Sequence, residues 1–261
     1  MNKHPKILLL DIETAFKLAA VWGRYKQDIS MNQVIQDSYV LCWSAKWLGE
    51  KEMFSDALYN HRGYKKDPTN DKKILQSVWK LLDKADIVIA HNGDKFDVPV
   101  LNARFIEHGM RPPSSYVTID TLKVARRSFK FSSNKLDDLA KLLKVGSKLS
   151  TGGMDLWKKI VLKQDLKAFA KMLRYCKQDV RLLEKVYLKL RAWDKRHPST
   201  VLANSLPTSR CNVCGCSDVK KNGSYATNTY TYQKYKCTEC GHNMRSRKAE
   251  TKPNQHLLKS I

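Results

Sequence analysis

The sequence has no apolar run that approaches the roughly 20 residues of a membrane-spanning helix. Its first residues, MNKHPK, lead directly into a short apolar segment and lack the features of a secretory signal peptide. No internal repeat or low-complexity tract is visible. We therefore expect a globular, cytoplasmic protein with no membrane partner, and 261 residues are enough for one sizeable core and a small second domain.

Acidic residues are scarce in this chain. It contains 25 Asp and Glu against 48 Lys and Arg, which gives a formal net charge of +23. A small domain needs a net charge of only about 2–8 to stay soluble. The excess predicts a polyanionic partner, and nucleic acid is the commonest one; an acidic membrane surface is the alternative.

The seven cysteines are unevenly distributed. Cys42 and Cys176 lie in apolar segments and are expected to be buried thiols, whereas the other five fall between residues 211 and 240. In a cytosolic chain such a cluster favours a metal site over disulfides.

Two C-x-x-C pairs in this cluster are separated by 22 residues, each pair is followed by a glycine, and the segment between them is rich in strand-forming residues. This pattern predicts a zinc ribbon with one structural Zn²⁺. Cys216 could replace Cys214, but the x-x spacing of the first pair would then be lost. His242 is a weaker candidate for a substitute ligand. The predicted ligands are Cys211, Cys214, Cys237 and Cys240.

Hydrophobic periodicity predicts an α/β domain before the ribbon. The predicted strands are 6–14, 39–48, 51–55 and 86–92, with a further short strand that passes into a helix within 116–129. The predicted helices are 71–85, 98–109, 134–146 (capped by Asn134) and 165–193. An early hairpin followed by strand–helix–strand units predicts a mixed sheet flanked by helices on both faces. We expect this domain to span 1–196, a linker to span 197–210, and the ribbon with a basic tail to span 211–261.

Carboxylates follow the buried strands. Asp11 and Glu13 alternate with one residue between them, so they point to the same side at the end of the first strand. Asp97 follows the strand 86–92, and Tyr175 and Asp179 share one face of the last helix. Solvated acids, a helix cap and a plain helix edge would explain each of these features separately. Together they predict an acidic cluster, which repels itself unless Mg²⁺ or Mn²⁺ binds between the carboxylates.

The segments DIET, HNGDKFD and YCKQD, in this order and spacing, resemble the three exonuclease motifs of the DnaQ-like DEDD superfamily. The Tyr-x-x-x-Asp of the third motif is similar to the tyrosine branch (DEDDy), which includes the proofreading domains of family B DNA polymerases. The resemblance covers about 6–193, and with the ribbon the chain resembles small phage-encoded exonucleases, which act in the host cytoplasm. It implies an RNase H-like fold and 3′-to-5′ hydrolysis of nucleic acid to nucleoside monophosphates with two metal ions.

The resemblance also implies roles for individual residues. Asp11 would bridge the two metal ions, and Glu13 and Asp179 would complete the site of the ion that holds the attacking water. Asp97 would support the second ion. Tyr175 would orient this water, since a tyrosine with a pKa of about 10 is a poor base at neutral pH. Substrate contacts are implied for Thr14, Asn92 and Phe96, although Phe96 is equally plausible as a core residue.

The expected substrate is a single-stranded DNA 3′ end, acted on by a monomer, with replication or repair proteins as further partners. The alternatives are a non-catalytic nucleic-acid-binding protein on a nuclease fold and a structure-specific endonuclease of the same fold. Residues 201–261 contain ten Lys and Arg and three acidic residues, so we expect the ribbon to contact phosphates, with Tyr230, Tyr232 and Tyr235 stacking on bases. Residues 15–38 are longer than the equivalent segment of many members and are interpreted as either a lid or a substrate wall.

Overall fold

The computed structural model describes residues 5–201 and 209–251. The chain divides into two compact units, one formed by Lys6–Tyr187 and the other by Met1–Pro5 with Leu188–Ile261. Part of the predicted linker, residues 202–208, lies outside the described residues. The domain boundaries expected from the sequence therefore stay predictions. Within the described part of the chain, every helix is too short or too polar to cross a membrane.

The first unit contains seven strands, and the second contains three. The strands are β1 (Ile7–Thr14), β2 (Leu18–Ala19), β3 (Val34–Gln36), β4 (Val40–Trp47), β5 (Phe54–Ala57), β6 (Ile87–Ala90), β7 (Val117–Asp120), β8 (Val219–Ala226), β9 (Thr231–Cys237) and β10 (Asn243–Arg245). The α-helices are α1 (Lys72–Leu82), α2 (Asp97–Glu107), α3 (Thr121–Ser128), α4 (Leu136–Leu142), α5 (Met154–Lys163) and α6 (Leu166–Leu190).

Five strands form the central sheet in the order β5-β4-β1-β6-β7. β4 is antiparallel to both β1 and β5, whereas β6 is parallel to both β1 and β7. The mixed sheet predicted from the early hairpin and the later strand–helix–strand units is confirmed. β1 lies in the centre because it is apolar on both sides: Leu8, Leu9 and Leu10 are fully buried.

Helices cover both faces of this sheet. On the face of Ile12, the Trp43 indole N–H donates to the carbonyl of Ile74 in α1 (2.9 Å). On the opposite face, Lys46 forms an ion pair with Glu184 of α6. Asp11 and Glu13 alternate with Ile12 along β1 and therefore face α6. The sheet thus directs both carboxylates of β1 towards the longest helix.

Residues 15–38 leave β1 and return to β4 as an arm that contains the short β2–β3 hairpin. Its side chains are mostly exposed, including Trp22 (99% exposed) and Tyr25 (78%). The role of this arm, as a lid or a substrate wall, stays a prediction.

Two local predictions differ from the structure, and one helix, α5, was not predicted from the sequence. β5 begins at Phe54 rather than at residue 51, so the connection after β4 is longer than a tight turn. Asn134 does not cap α4: Lys135 precedes the helix, and no side chain caps it.

The ribbon forms a separate three-stranded antiparallel sheet in the order β10-β9-β8. In the same unit, the backbone N–H of Thr200 donates to the carbonyl of Asn212 (2.8 Å), so the segment before the ribbon is attached to its first knuckle.

Candidate active site

The candidate site lies at the end of β1 that extends beyond the neighbouring strand β6. β6 pairs with β1 only as far as Leu9, so the five residues from Leu10 to Thr14 have no partner on that side. The backbone N–H of Ile12 is satisfied there by the Asp97 carboxylate (Oδ1, 3.1 Å). Asp97 therefore takes the place that a longer β6 would occupy, and its carboxylate is held against β1.

The turn between β6 and α2 positions Asp97. Asn92 has a left-handed backbone (φ 69°), and its N–H donates to Asp120 (2.9 Å). Gly93 then passes so close to β6 that an added Cβ would lie 2.3 Å from the Cβ of Ala90. A glycine is required here because the turn leaves no room for a side chain.

We expect Gly93→Ala to displace this turn and with it Asp97. The clash is between Cβ atoms attached to backbone, so it cannot be relieved by a rotamer change, and the cost should be at least ~1–3 kcal/mol. Thermal unfolding should show a lower Tm, with Gly109→Ala as a control. Unlike Gly93, Gly109 has a positive φ, so its alanine carries backbone strain, but nothing lies within 4 Å of its added Cβ and there is no clash. A Gly93→Ala protein no less stable than the control would contradict the packing argument.

Helix α6 supplies the third carboxylate. The Cys176 thiol donates to the carbonyl of Asp11 (3.4 Å) and fixes the helix against the end of β1. Asp179 lies one turn further along the helix and is only 2% exposed. One carboxylate oxygen each from Asp11, Glu13 and Asp179 can be chosen so that all three lie within 4.8 Å of one another. The structure thus brings together three of the four predicted metal-binding acids, and Asp97 lies beside them.

Burial and mutual repulsion make these carboxylates hard to ionise without a cation. Burial, followed by repulsion from Glu13, Asp97 and Asp179, raises the pKa of Asp11 well above its usual range. Burial raises the pKa of Glu13 to about 8, with a further contribution from Asp179. Burial also raises the pKa of Asp97, to about 7, and that of Asp179. The cluster therefore favours a bound positive charge.

The oxygens left without partners fit a divalent cation. Asp11 Oδ2 and Asp179 Oδ1 are buried and accept no hydrogen bond within the described structure. Unpaired carboxylate oxygens of this kind are costly unless they coordinate a cation. Hard oxygen donors suit Mg²⁺ or Mn²⁺, so the residues present fit the expected metal.

Lys148 also lies in this site, and it was not predicted from the sequence. Its ammonium group forms an ion pair with Asp179 and donates to the Tyr175 hydroxyl (3.0 Å). Although burial opposes it, the charge of Asp179 raises the pKa of Lys148 above its usual value. The lysine follows α4 in a loop, and no local spacing in the sequence relates it to α6.

The predicted substrate-binding residues lie around the same sheet end. The carbonyl of Thr14 accepts a hydrogen bond from the Trp157 indole (3.1 Å). Asn92 forms the turn described above. Phe96 precedes α2 and is 39% exposed, so part of its ring is accessible to solvent.

The cysteine cluster has the geometry of a tetrahedral site. Four thiols lie within 4.8 Å of one another: Cys211, Cys214, Cys237 and Cys240. Two sulfur–sulfur separations, Cys211–Cys240 and Cys214–Cys237, are both 3.6 Å. Zn–S bonds of about 2.3 Å in a tetrahedron place the sulfurs about 3.8 Å apart, so the four thiols fit a structural Zn²⁺.

The two knuckles are built alike. Gly215 and Gly241 both have a positive φ, and their N–H groups donate to the carbonyls of Cys211 and Cys237. Burial raises the pKa of Cys240 to about 11 and raises that of Cys214 as well, whereas at Cys237 backbone N–H groups outweigh burial and lower the pKa to about 7. Cys237 is therefore the thiol of these three that ionises most readily. The two substitute ligands considered for the site are outside it. Cys216 interacts with the backbone of Asp218, and His242 Nδ1 lies 2.8 Å from the carbonyl of Ala192.

Two comparisons with known proteins relate this chain to parts of DNA polymerases. The chain is 26% identical over 128 residues to DNA polymerase III PolC-type of Ureaplasma parvum, a match that covers 44% of this chain and 9% of that protein. The structure also resembles the family B DNA polymerase from the hyperthermophilic archaeon Pyrobaculum calidifontis, with a TM-score of 0.53 and 13% identity over 72% of this chain and 25% of the other. This chain therefore spans only a small part of the length of either polymerase.

The family model described as RNase_H superfamily matches residues 48–191, more than half of the chain. The match includes Asp97, Tyr175 and Asp179 and begins after β1. The mixed sheet, its flanking helices and this match agree, and the chain belongs to the RNase H superfamily.

Proposed function

We propose that the protein is a metal-dependent 3′–5′ exonuclease of the tyrosine (DEDDy) branch that hydrolyses single-stranded DNA to nucleoside monophosphates. The observation that carries this proposal is the convergence of Asp11, Glu13 and Asp179 within 4.8 Å at one end of the sheet. Asp97 and Tyr175 lie next to this group. The similarity to the two DNA polymerases supports a nucleic-acid substrate.

The acidic residues would hold two Mg²⁺ or Mn²⁺ ions. When bound, such ions polarise a phosphodiester and lower the pKa of a bound water. Asp11, Glu13 and Asp179 would supply oxygens to these ions, and Asp97 would supply its second carboxylate oxygen, because the first accepts a hydrogen bond from the Ile12 N–H.

Tyr175 acts by orientation rather than as a base. Burial raises the pKa of its hydroxyl to about 12, so it is protonated at neutral pH. The hydroxyl accepts a hydrogen bond from Lys148 and donates its own hydrogen bond to the Asp179 carboxylate, so it is held beside the acids where a water or phosphate oxygen would bind. Lys148 thereby orients Tyr175 and offsets part of the charge of Asp179.

A DNA 3′ end is proposed to enter beside Thr14, Asn92 and Phe96. The exposed Phe96 ring provides a surface for stacking on the terminal base. We expect the protein to act as a monomer and to cooperate with replication or repair proteins.

Oligonucleotides labelled at the 5′ end test the proposal directly. With Mg²⁺ or Mn²⁺ we expect a ladder that shortens one nucleotide at a time, together with free nucleoside monophosphates. Matched DNA and RNA strands determine the preferred sugar. Discrete internal fragments would indicate an endonuclease instead, and binding without any cleavage in either metal would indicate a non-catalytic protein.

Lys148→Met should reduce nucleotide release by about tenfold or more. Lys148 lowers the pKa of Asp179, so its removal raises that pKa, and a larger fraction of Asp179 is protonated at a given pH. The acidic limb of the pH–rate profile should therefore move to higher pH. Lys144→Met, at an exposed lysine just after α4, is the control and should leave the profile in place. An unshifted acidic limb in Lys148→Met would show that Lys148 does not act on Asp179.

A further inference from the structure

The ribbon sheet has two chemically different faces. Residues directly opposite each other in antiparallel strands point to the same side. Val219 and Met244 pack against the cysteine cluster, and their strand partners Cys237 and Tyr235 share that side. The opposite side, here called the basic face, carries Asn243 together with Lys220, Tyr225, Tyr232, Lys234, Lys236 and Arg245. Tyr235, which the sequence pattern grouped with Tyr230 and Tyr232, does not belong to it.

Cations lie opposite cations on the basic face. Lys220 is paired with Lys236, and Lys234 is paired with Arg245. Like charges directly opposite in a sheet are destabilising. The three strands contain no acidic residue, and none of these four side chains forms an ion pair within the described part of the chain. An anion bound across the strands would offset the repulsion.

The same face also presents two tyrosine rings beside an arginine. Tyr225 lies opposite Tyr232, and the Arg245 guanidinium lies 3.9 Å from the centroid of the Tyr232 ring and 5.7 Å from that of Tyr225. The Tyr225 side chain is 47% exposed. Aromatic rings between cations suit unpaired bases, whose faces are free to stack, better than a duplex, whose bases are already stacked.

We propose that the basic face binds single-stranded nucleic acid, with the three lysines on phosphates and Tyr225 stacked on a base. That this strand is also the substrate rests on the proposed exonuclease function, but the binding itself does not. An acidic protein segment or an anionic lipid surface would satisfy the lysines and would make no use of Tyr225. The aromatic surface is therefore the feature that selects a nucleic acid.

Fluorescence anisotropy with a labelled single-stranded oligonucleotide, across a salt series without Mg²⁺ or Mn²⁺, tests the electrostatic part. In the triple variant Lys220→Gln, Lys234→Gln, Lys236→Gln we expect affinity at low salt to fall about tenfold or more. The plot of log K against log salt should become less steep by about 2, because each of the three lost phosphate contacts to a single strand contributes about 0.7 to its negative slope. Zinc content and circular dichroism establish that the ribbon is folded.

Lys221→Gln is the matched control for a single change. Lys220 and Lys221 are adjacent, exposed and equal in charge, but Lys221 lies opposite Tyr235 on the zinc-facing side. We expect Lys220→Gln to weaken binding. The decrease in log K caused by Lys221→Gln should be less than about half of the decrease caused by Lys220→Gln. Equal losses in the two variants would mean that net charge alone matters and would overturn the proposal, as would unchanged binding by the triple variant.

Tyr225→Ala tests the aromatic part. We expect it to weaken binding about fivefold or more, and Tyr225→Phe to restore most of the affinity because the ring is kept. The difference between the Ala and Phe variants should disappear with an abasic strand of equal charge. Polyglutamate or anionic vesicles that compete as well as the oligonucleotide would reject the nucleic-acid assignment. If the wild type binds the strand but releases no nucleotide with metal, the exonuclease proposal fails while this inference stands.

Discussion

Asp11→Asn will abolish nucleotide release and will also raise the melting temperature of the metal-free protein. The two effects have one cause. Asp11 is partly buried among three other carboxylates, and its buried oxygen Oδ2 has no hydrogen-bond partner among the described residues. Asparagine keeps the shape and removes the charge, so repulsion falls while the capacity to hold a cation is lost. A gain of ~1 kcal/mol would raise Tm by roughly 2–4 °C in a protein of this size.

The raised pKa values of the acids determine in which direction the stability of the metal-free protein changes with pH. The pKa of Glu13 is raised to about 8 and that of Asp97 to about 7 in the folded protein. Ionisation therefore costs more in the folded than in the unfolded chain. In metal-free protein, stability should fall as the pH rises from about 5 to about 8, less steeply in Asp11→Asn. Excess Mn²⁺ should remove most of the fall in the wild type.

Differential scanning calorimetry with and without Mn²⁺, alongside the nucleotide-release assay, measures both effects. Glu52→Gln removes an exposed carboxylate in the loop before β5 and serves as the control, with activity and Tm unchanged. An active Asp11→Asn protein would refute the assigned site. An inactive variant whose metal-free Tm falls would instead mean that Asp11 supports the fold through contacts other than charge.

Cys237→Ser will unfold the ribbon and leave the Lys6–Tyr187 unit folded. The ribbon's buried cluster consists of little more than Val213 and two of the cysteines, so its own hydrophobic core is very small. Structural zinc contributes an apparent ~10–16 kcal/mol to such modules, more than their packing can supply. We expect the wild type to bind one zinc ion per chain and the variant to bind none.

Cys216→Ser provides the matched control for this experiment. Cys216 lies two residues from Cys214 but outside the four-thiol group, so its replacement should leave zinc content unchanged. Hydrogen exchange should show protection lost throughout β8–β10 in Cys237→Ser and kept in β1 and β6. If Cys216→Ser lost the metal and Cys237→Ser kept it, the ligand assignment would be wrong.

Much of the central domain could be predicted from local patterns. Apolar runs identified β1, β4 and β6, and helical periodicity identified α1 and α6, because these elements are buried on the faces that the patterns indicate. The acidic positions on the first strand could be predicted as well, since Asp11 and Glu13 follow a buried apolar run. The zinc-binding cysteines could be predicted because the C-x-x-C spacing is a short-range pattern.

What could not be predicted depends on contacts between distant segments. Lys148 meets Asp179 because a loop after α4 approaches α6 in the folded chain, and neither segment has a spacing that indicates the pair. The short strands of residues 15–38 are paired with each other and are nowhere fully buried, so they show no clear burial pattern. The two faces of the ribbon likewise depend on the bulge between Lys221 and Ser224, which sets the register of β8.

The unequal lengths of β1 and β6 limit where this chain can tolerate insertions and deletions. The carboxylates need an interruption in the ladder, and that interruption exists only because β6 stops at Ala90. Extending β6 by two residues would supply a backbone acceptor for Ile12 and expel Asp97 from its place, even if every acid were kept. Indels at this junction should therefore be far more harmful to chemistry than indels of the same size in the connection between β4 and β5.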